Sequence, residues 1–115
     1  MEENEPQAHE QQMNEHEPQL YLKSHRSGRE VLIAVCDCDL MGKKFVEGHL
    51  HVEILPDFFG EEKVTVQDVE QALGRATMAN LVGELAVGQA IRLGYVAREN
   101  VLIIKGVPCA QMVLM

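Results

Sequence analysis

Tryptophan is missing from the 115 residues, and the aromatic supply is limited to Tyr21, Phe45, Phe58, Phe59 and Tyr95. Proteins that read single-stranded nucleic acid base by base stack several bases on aromatic rings, so that mode of recognition is not expected here. Cysteine is scarce and odd in number, three residues, which does not make a disulfide framework and points to reduced thiols. Long apolar runs are absent as well. The longest, VLIAVC at residues 31 to 36, falls far short of the ~20 residues that cross a bilayer. The chain starts acidic and no apolar segment follows, so no secretory signal is expected. Glycine-rich phosphate fingerprints, a nucleophile elbow and the metalloprotease helix motif are all lacking, as is any repeat of solenoid period. A cytoplasmic protein without enzymatic activity or a membrane partner is expected.

Basic excess is also lacking. The formal net charge is −8, but its distribution is uneven. Residues 1 to 19, MEENEPQAHEQQMNEHEPQ, hold six glutamates and neither Lys nor Arg. Such a segment cannot bury enough apolar surface to offset its chain entropy, and a disordered acidic tail is expected there. Removing its six charges leaves −2 for residues 20 to 115, with ten basic against twelve acidic side chains. That body is near neutral, unlike a general nucleic-acid binder, though a local basic patch remains open to it. It is long enough to form a single domain with its own core.

The body opens with LYLKSH and REVLIAVC around Ser27-Gly28, where glycine supplies the positive φ of a tight hairpin turn. The second of these runs is apolar on both faces, as in a central strand. After a loop over DCDLMGKKFVEG, HLHVEIL alternates, with His49, His51 and Glu53 on one side and Leu50, Val52 and Ile54 on the other. This pattern predicts a half-exposed strand that ends near Pro56. Thr65 and Asp68 fit a capping box, followed by an apolar stripe of Val66, Val69, Leu73 and Ala76. A second helix is expected from about Met78 to Leu93, with Gly94 past its end and a polar row of Asn80, Glu84, Gly88 and Arg92. Two strands around Lys105-Gly106 close the chain. Strands at both ends of a helical middle predict an α+β domain over residues 20–115: a mostly antiparallel sheet of about five strands, with two consecutive helices packed on one face.

The stretches YLKSHRSGREV, VCDCDLMGKKF, RATMANLVGELAV and GVPCAQ resemble the archaeal family known as domain of unknown function 424, from Tyr21 to Met112. Within them ATMANLVGE is the most specific, because helical composition alone does not dictate Asn80, Gly83 and Glu84. The resemblance implies a single-domain archaeal cytoplasmic protein and brings with it no established activity, cofactor or catalytic residue. The chain departs from the family pattern at Cys109, where histidine is usual, and at Cys38, which is more often acidic.

Three sets of residues carry the candidate chemistry. Lys23, His25, Arg26 and Arg29 lie in or near KSHRSGR, and Lys43 and Lys44 follow in MGKKF. On a rigid hairpin these basic groups suit phosphate contact, with the arginine forks gripping oxygens. Asn80 and Glu84 form a polar pair on an otherwise apolar segment, suited to ordering a loop or meeting a ligand. Cys36, Cys38, His49, His51 and Cys109 are the residues that zinc would need if two strands met there. The one-residue spacing of the cysteines is not that of structural zinc sites, alternation already accounts for the histidines, and buried free cysteine commonly serves as a small hydrophobe. Thiol catalysis is disfavoured at Cys38, since Asp37 and Asp39 oppose the thiolate.

The function expected from these features is a small binding or adaptor protein, an accessory factor that contacts RNA or a ribonucleoprotein through the hairpin basics. The alternative is a protein-interaction module without nucleic acid, binding a partner or its own copy and covering Phe58 and Phe59 or the edge exposed by AQMVLM. A small zinc-binding protein is the third reading; otherwise no cofactor is expected.

Overall fold

The computed structural model describes residues 17–114. Most of the acidic tail therefore lies outside the described residues. Its last residue, Gln19, just before the first strand, is tied to the sheet: its N–H donates to Val64 O at 3.0 Å and its carbonyl accepts from Cys38 N at 3.0 Å.

Strands β1 (Leu20–Ser27) and β2 (Glu30–Asp37) form the expected hairpin. Ser27 pairs with Glu30, so the loop is Gly28-Arg29, one residue later than expected, and Gly28 takes φ 61°. A glycine of positive φ opening a two-residue loop suits the right-handed twist of the flanking strands. The chain then makes a 3-10 turn over Cys38–Leu40 and a second hairpin, β3 (Lys44–Glu47) and β4 (Leu50–Glu53). The segment expected as a loop thus contains a strand, and the strand expected over HLHVEIL is shorter, with His49 in its turn. A four-residue helix α1 (Pro56–Phe59) begins with Pro56 in its first turn, where a missing N–H costs nothing.

After β5 (Lys63–Val64) comes α2 (Val66–Leu73), capped at both expected positions. Asp68 N donates to Thr65 Oγ1 at 3.1 Å while Thr65 N donates to Asp68 Oδ2 at 3.0 Å. The segment expected to start the second helix is instead a strand, β6 (Met78–Val82), and helix α3 spans only Glu84–Arg92. Ala79 and Leu81 of β6 enter one apolar cluster and Val82 the other. A strand buried on both faces is apolar all round, as a buried helix is, so composition alone could not separate them. Gly83 divides the two elements with φ 112°, and the row Asn80, Glu84, Gly88, Arg92 is consequently not one helix face. Strands β7 (Leu102–Ile104) and β8 (Val107–Val113) form the last hairpin around Lys105-Gly106.

The main sheet has six strands in the order β5-β1-β2-β6-β8-β7, antiparallel throughout except for the parallel pair β2 and β6. Helices α2 and α3 cover one face, packing Val69, Leu73, Val87 and Ala90 against Val31, Ile33, Val35 and Leu81. The opposite face is also covered. There Ala34, Cys36 and Val82 meet Ile54 and Phe59, with Phe45, Val52 and Phe58 around them. Each Val, Leu or Ile fully buried this way contributes about 1.5–3 kcal/mol. Among the described residues, no helix is long and apolar enough to cross a membrane.

Candidate functional site

On the face covered by α1 and the β3–β4 hairpin, the cover is incomplete. Beyond Phe59 and Ile54 the sheet opens into a groove of about 570 Å³, within the range of ligand sites. Its floor is built from β6 and β8. Asn80 and Val82 face it from β6, and Cys109 and Gln111 from β8; Asn80 stands directly opposite Gln111, and Val82 opposite Cys109. Phe58 and Phe59 line the α1 side, Asn100, Leu102 and Ile104 the β7 side, and His51 and Glu53 the rim.

Alternation explains each placement. In β6 the odd residues Ala79 and Leu81 go to the helix-covered core, which turns Asn80 and Val82 to the groove. In β8, Ala110 and Met112 are core and Cys109 and Gln111 face the groove. Ala34 is the partner of Asn80 on its other side and is fully buried. Neither the Asn80 nor the Gln111 carboxamide has a hydrogen-bond partner among the described residues.

The candidate basic residues are spread out. Lys23 Nζ donates to Asp57 O at 2.9 Å, and His25 Nε2 lies 2.8 Å from Phe58 O with its ring stacked on Phe58 at 5.0 Å between centroids. Both side chains therefore fasten α1 to β1. Arg26, one position on, projects to the other face of the sheet, and Arg29 sits in the β1–β2 loop. Lys43 and Lys44 enter β3 beyond the far end of β2, a strand about 23 Å long by its rise per residue. Beside Lys44, Phe45 packs into the cluster of Cys36 and Cys109, at the end of the sheet away from Arg29. Glu84 is exposed in the first turn of α3 and does not line the groove; of the polar pair, only Asn80 does.

The cysteines do not gather with the histidines. Cys36 and Cys109 share a face but are separated by Val82, which pairs with both. His51 is exposed on β4, and His49 is exposed in the turn before it. Among the described residues, no three His, Cys, Asp or Glu side chains meet closely enough to hold a metal ion. Burial pushes the Cys36 thiol up to about 12, helped by the charges of Asp37 and Cys38. Cys38 is raised by burial, with Lys63 opposing and Asp37 and Asp39 adding to the rise; Cys109 is raised by burial alone. All three thiols are therefore held away from the nucleophilic thiolate.

One partly buried carboxylate organises the far end of the parallel strands. Asp37, the last residue of β2, accepts from Leu85 N at 3.0 Å and Ala86 N at 2.8 Å, capping α3 from outside the helix. Burial raises its carboxyl above the usual range, while these two N–H groups oppose the rise. Gln111, Asn100 and Leu102 were not singled out from sequence, although alternation from Cys109 through CAQMV would have placed Gln111 in the groove.

The model of the family described as protein of unknown function (DUF424) matches residues 25–115. No curated protein matches the chain. Among solved structures, an uncharacterized conserved protein from Methanopyrus kandleri is similar, with a TM-score of 0.68 and 23% identity over 82% of this chain and 90% of that one. At that identity the likeness concerns the fold.

Proposed function

Since the chain belongs to the DUF424 family of proteins of unknown function, we propose that it is a protein-interaction module that takes an extended polypeptide segment along the edge of β7 that no strand pairs among the described residues, beside the groove. The observation that carries this reading is the backbone of Ile103. Ile103 stands opposite Pro108 in the β7–β8 ladder. Proline has no N–H to exchange, so this is a non-hydrogen-bonded position of the antiparallel pair, and the N–H and C=O of Ile103 point to the free edge. A strand added there gains main-chain hydrogen bonds, and every second side chain of it lies on the groove side of the sheet. Leu102 and Ile103 are 46% and 54% exposed, and they offer apolar contact on both faces of the added strand.

RNA contact finds less support. Of the six basic candidates, Arg26 and Arg29 remain exposed at the β1–β2 turn, whereas Lys23 and His25 are engaged with α1 and Lys43 and Lys44 belong to the other end of the sheet. The zinc reading has no converging ligand set among the described residues to support it.

Selection from a random dodecapeptide display library on the full chain tests the proposal, with Ile103→Pro as the control. Proline removes the edge N–H and is tolerated in edge strands. Enriched peptides are expected to bind the wild type and to be lost on Ile103→Pro, while thermal melts show that the variant is folded. Failure to enrich any sequence, or equal binding to both proteins, overturns it. Size-exclusion chromatography of the same samples identifies the case in which a second copy is the added strand.

A further inference from the structure

Resting on that reading, we infer that the segment taken up along β7 is the β7 strand of a second copy of this chain, paired antiparallel about a two-fold axis at Ile103. The stretch of edge open to pairing is short. Two residues to either side of Ile103, Val101 N donates to Arg98 O at 3.2 Å and Lys105 N donates to Glu47 Oε1 at 2.7 Å. These are the next positions that turn outward from a strand, and their N–H groups already have partners. A long partner strand therefore adds few hydrogen bonds by its length. A second copy matches the same short stretch with its own: each Ile103 donates its N–H to the Ile103 carbonyl opposite, and the pair maps onto itself under the two-fold rotation.

The side chains suit this register. Leu102 and Ile104 line the groove, so alternation turns Ile103 to the helix-covered side. There it meets its own counterpart, at a position 54% exposed in the single chain. On the groove side, Ile104 stands opposite Leu102 of the second copy. Leu50 lies at the same end of the strand. It pairs with Glu47 across the β3–β4 hairpin, and the Glu47 carboxylate holds Lys105 N. Leu50 is 41% and Leu102 46% exposed, and the pairing brings them together twice, once at each end.

Charge favours a copy as well. The whole chain carries −8, which opposes indiscriminate self-association. The strand VLII at 101–104 is uncharged, however, and its ends are balanced, with Arg98 and Glu99 before it and Lys105 and Glu47 after it. An antiparallel pair sets one balanced end against the other. Unpaired edges are commonly kept short or charged. The opposite edge, β5, is two residues long and includes Lys63, whereas β7 has no charge of its own.

An interface of this small extent belongs to the weak, transient class, so sedimentation velocity of the full chain between about 10 µM and about 1 mM is the test. The wild type is expected to shift from monomer to dimer across that range. Ile103→Lys and Ile103→Glu are each expected to weaken dimerisation at least about tenfold, because like charges then stand directly opposite, while an equimolar mixture of the two associates more tightly than either alone. Thermal melts check that both variants are folded. A wild type that is monomeric at the highest concentration, a dimer that neither substitution weakens, or a mixture no tighter than its components overturns this inference. Display peptides that depend on Ile103 would then leave the strand-addition reading standing, and their absence as well would overturn both.

Discussion

The carboxylate of Asp37 fills the space that a side chain on Gly83 would need. A β-carbon built on Gly83 falls 2.3 Å from Asp37 Cγ and 2.5 Å from Oδ1, and Gly83 also holds φ 112°, a conformation that L side chains rarely adopt. Glycine is thus required twice at the step from β6 to α3, once for the backbone and once to admit the cap. Gly83→Ala is expected to destabilise the fold by about 3 kcal/mol or more, measured by denaturant unfolding. Asp37→Ala removes the clash but also the cap, so the double variant is expected to be more stable than the sum of the single losses. Strict additivity would show that the two residues do not compete for space.

The same carboxylate sets a pH dependence whose sign is opposite to that of most carboxylates. Its folded value is raised from 3.8 by burial, so the folded protein holds the proton more tightly than the unfolded chain. The resulting stabilisation is fully present below 3.8 and is lost as pH rises through the raised folded value. The stability difference between wild type and Asp37→Asn is therefore expected to shift in favour of the wild type as pH falls from 7 to 4. A shift the other way would place the folded value below the ordinary one.

Thiol reactivity reports how completely the groove face of the sheet is covered. With a disulfide reagent at pH 8, Cys38 and Cys109, both partly exposed, are expected to react slowly, and Cys36 to react only on unfolding because it is buried and pushed up to about 12. Labelling of Cys109 with a bulky maleimide is expected to block the groove. Rapid reaction of Cys36 in the native protein would contradict its place under Ile54 and Phe59.

At the start of α2, Thr65→Ala is expected to cost about 1 kcal/mol, since both halves of the capping box are formed. Thr77→Val is expected to cost a similar amount, about 1–2 kcal/mol. It removes the hydroxyl that accepts from Val31 N at 2.8 Å and donates to Glu30 Oε1 at 2.9 Å, a link between the starts of β2 and β6. Chemical denaturation of each variant measures both.

Much of this was legible in the chain. The capping box at Thr65, the hairpins at Gly28 and Lys105-Gly106, the two-sided burial of β2 and the alternation of His51, Val52, Glu53 and Ile54 all followed from local rules that tertiary packing did not override. Met78–Val82 did not. Its residues suit a helix in composition, and what made it a strand was long-range: the free parallel edge of β2 on one side, β8 on the other, and the break at Gly83. The groove inherited that difficulty. Asn80 was visible as an unusual residue, but its neighbour Gln111 is 31 positions away and became its partner only through the β6–β8 register. The dispersion of the basic residues was hidden for the same reason, since alternation separates Arg26 from Lys23 and His25 while α1, placed by long-range packing, engages the latter two.

Amide chemical-shift mapping on the isotopically labelled full chain tests the binding face most directly, with a display-selected peptide and a short single-stranded RNA titrated separately. The peptide is expected to shift Leu102 to Ile104, and the RNA to leave those signals in place. Shifts confined to the β1–β2 turn around Arg26 and Arg29, with the β7 edge unchanged under either titrant, would contradict it.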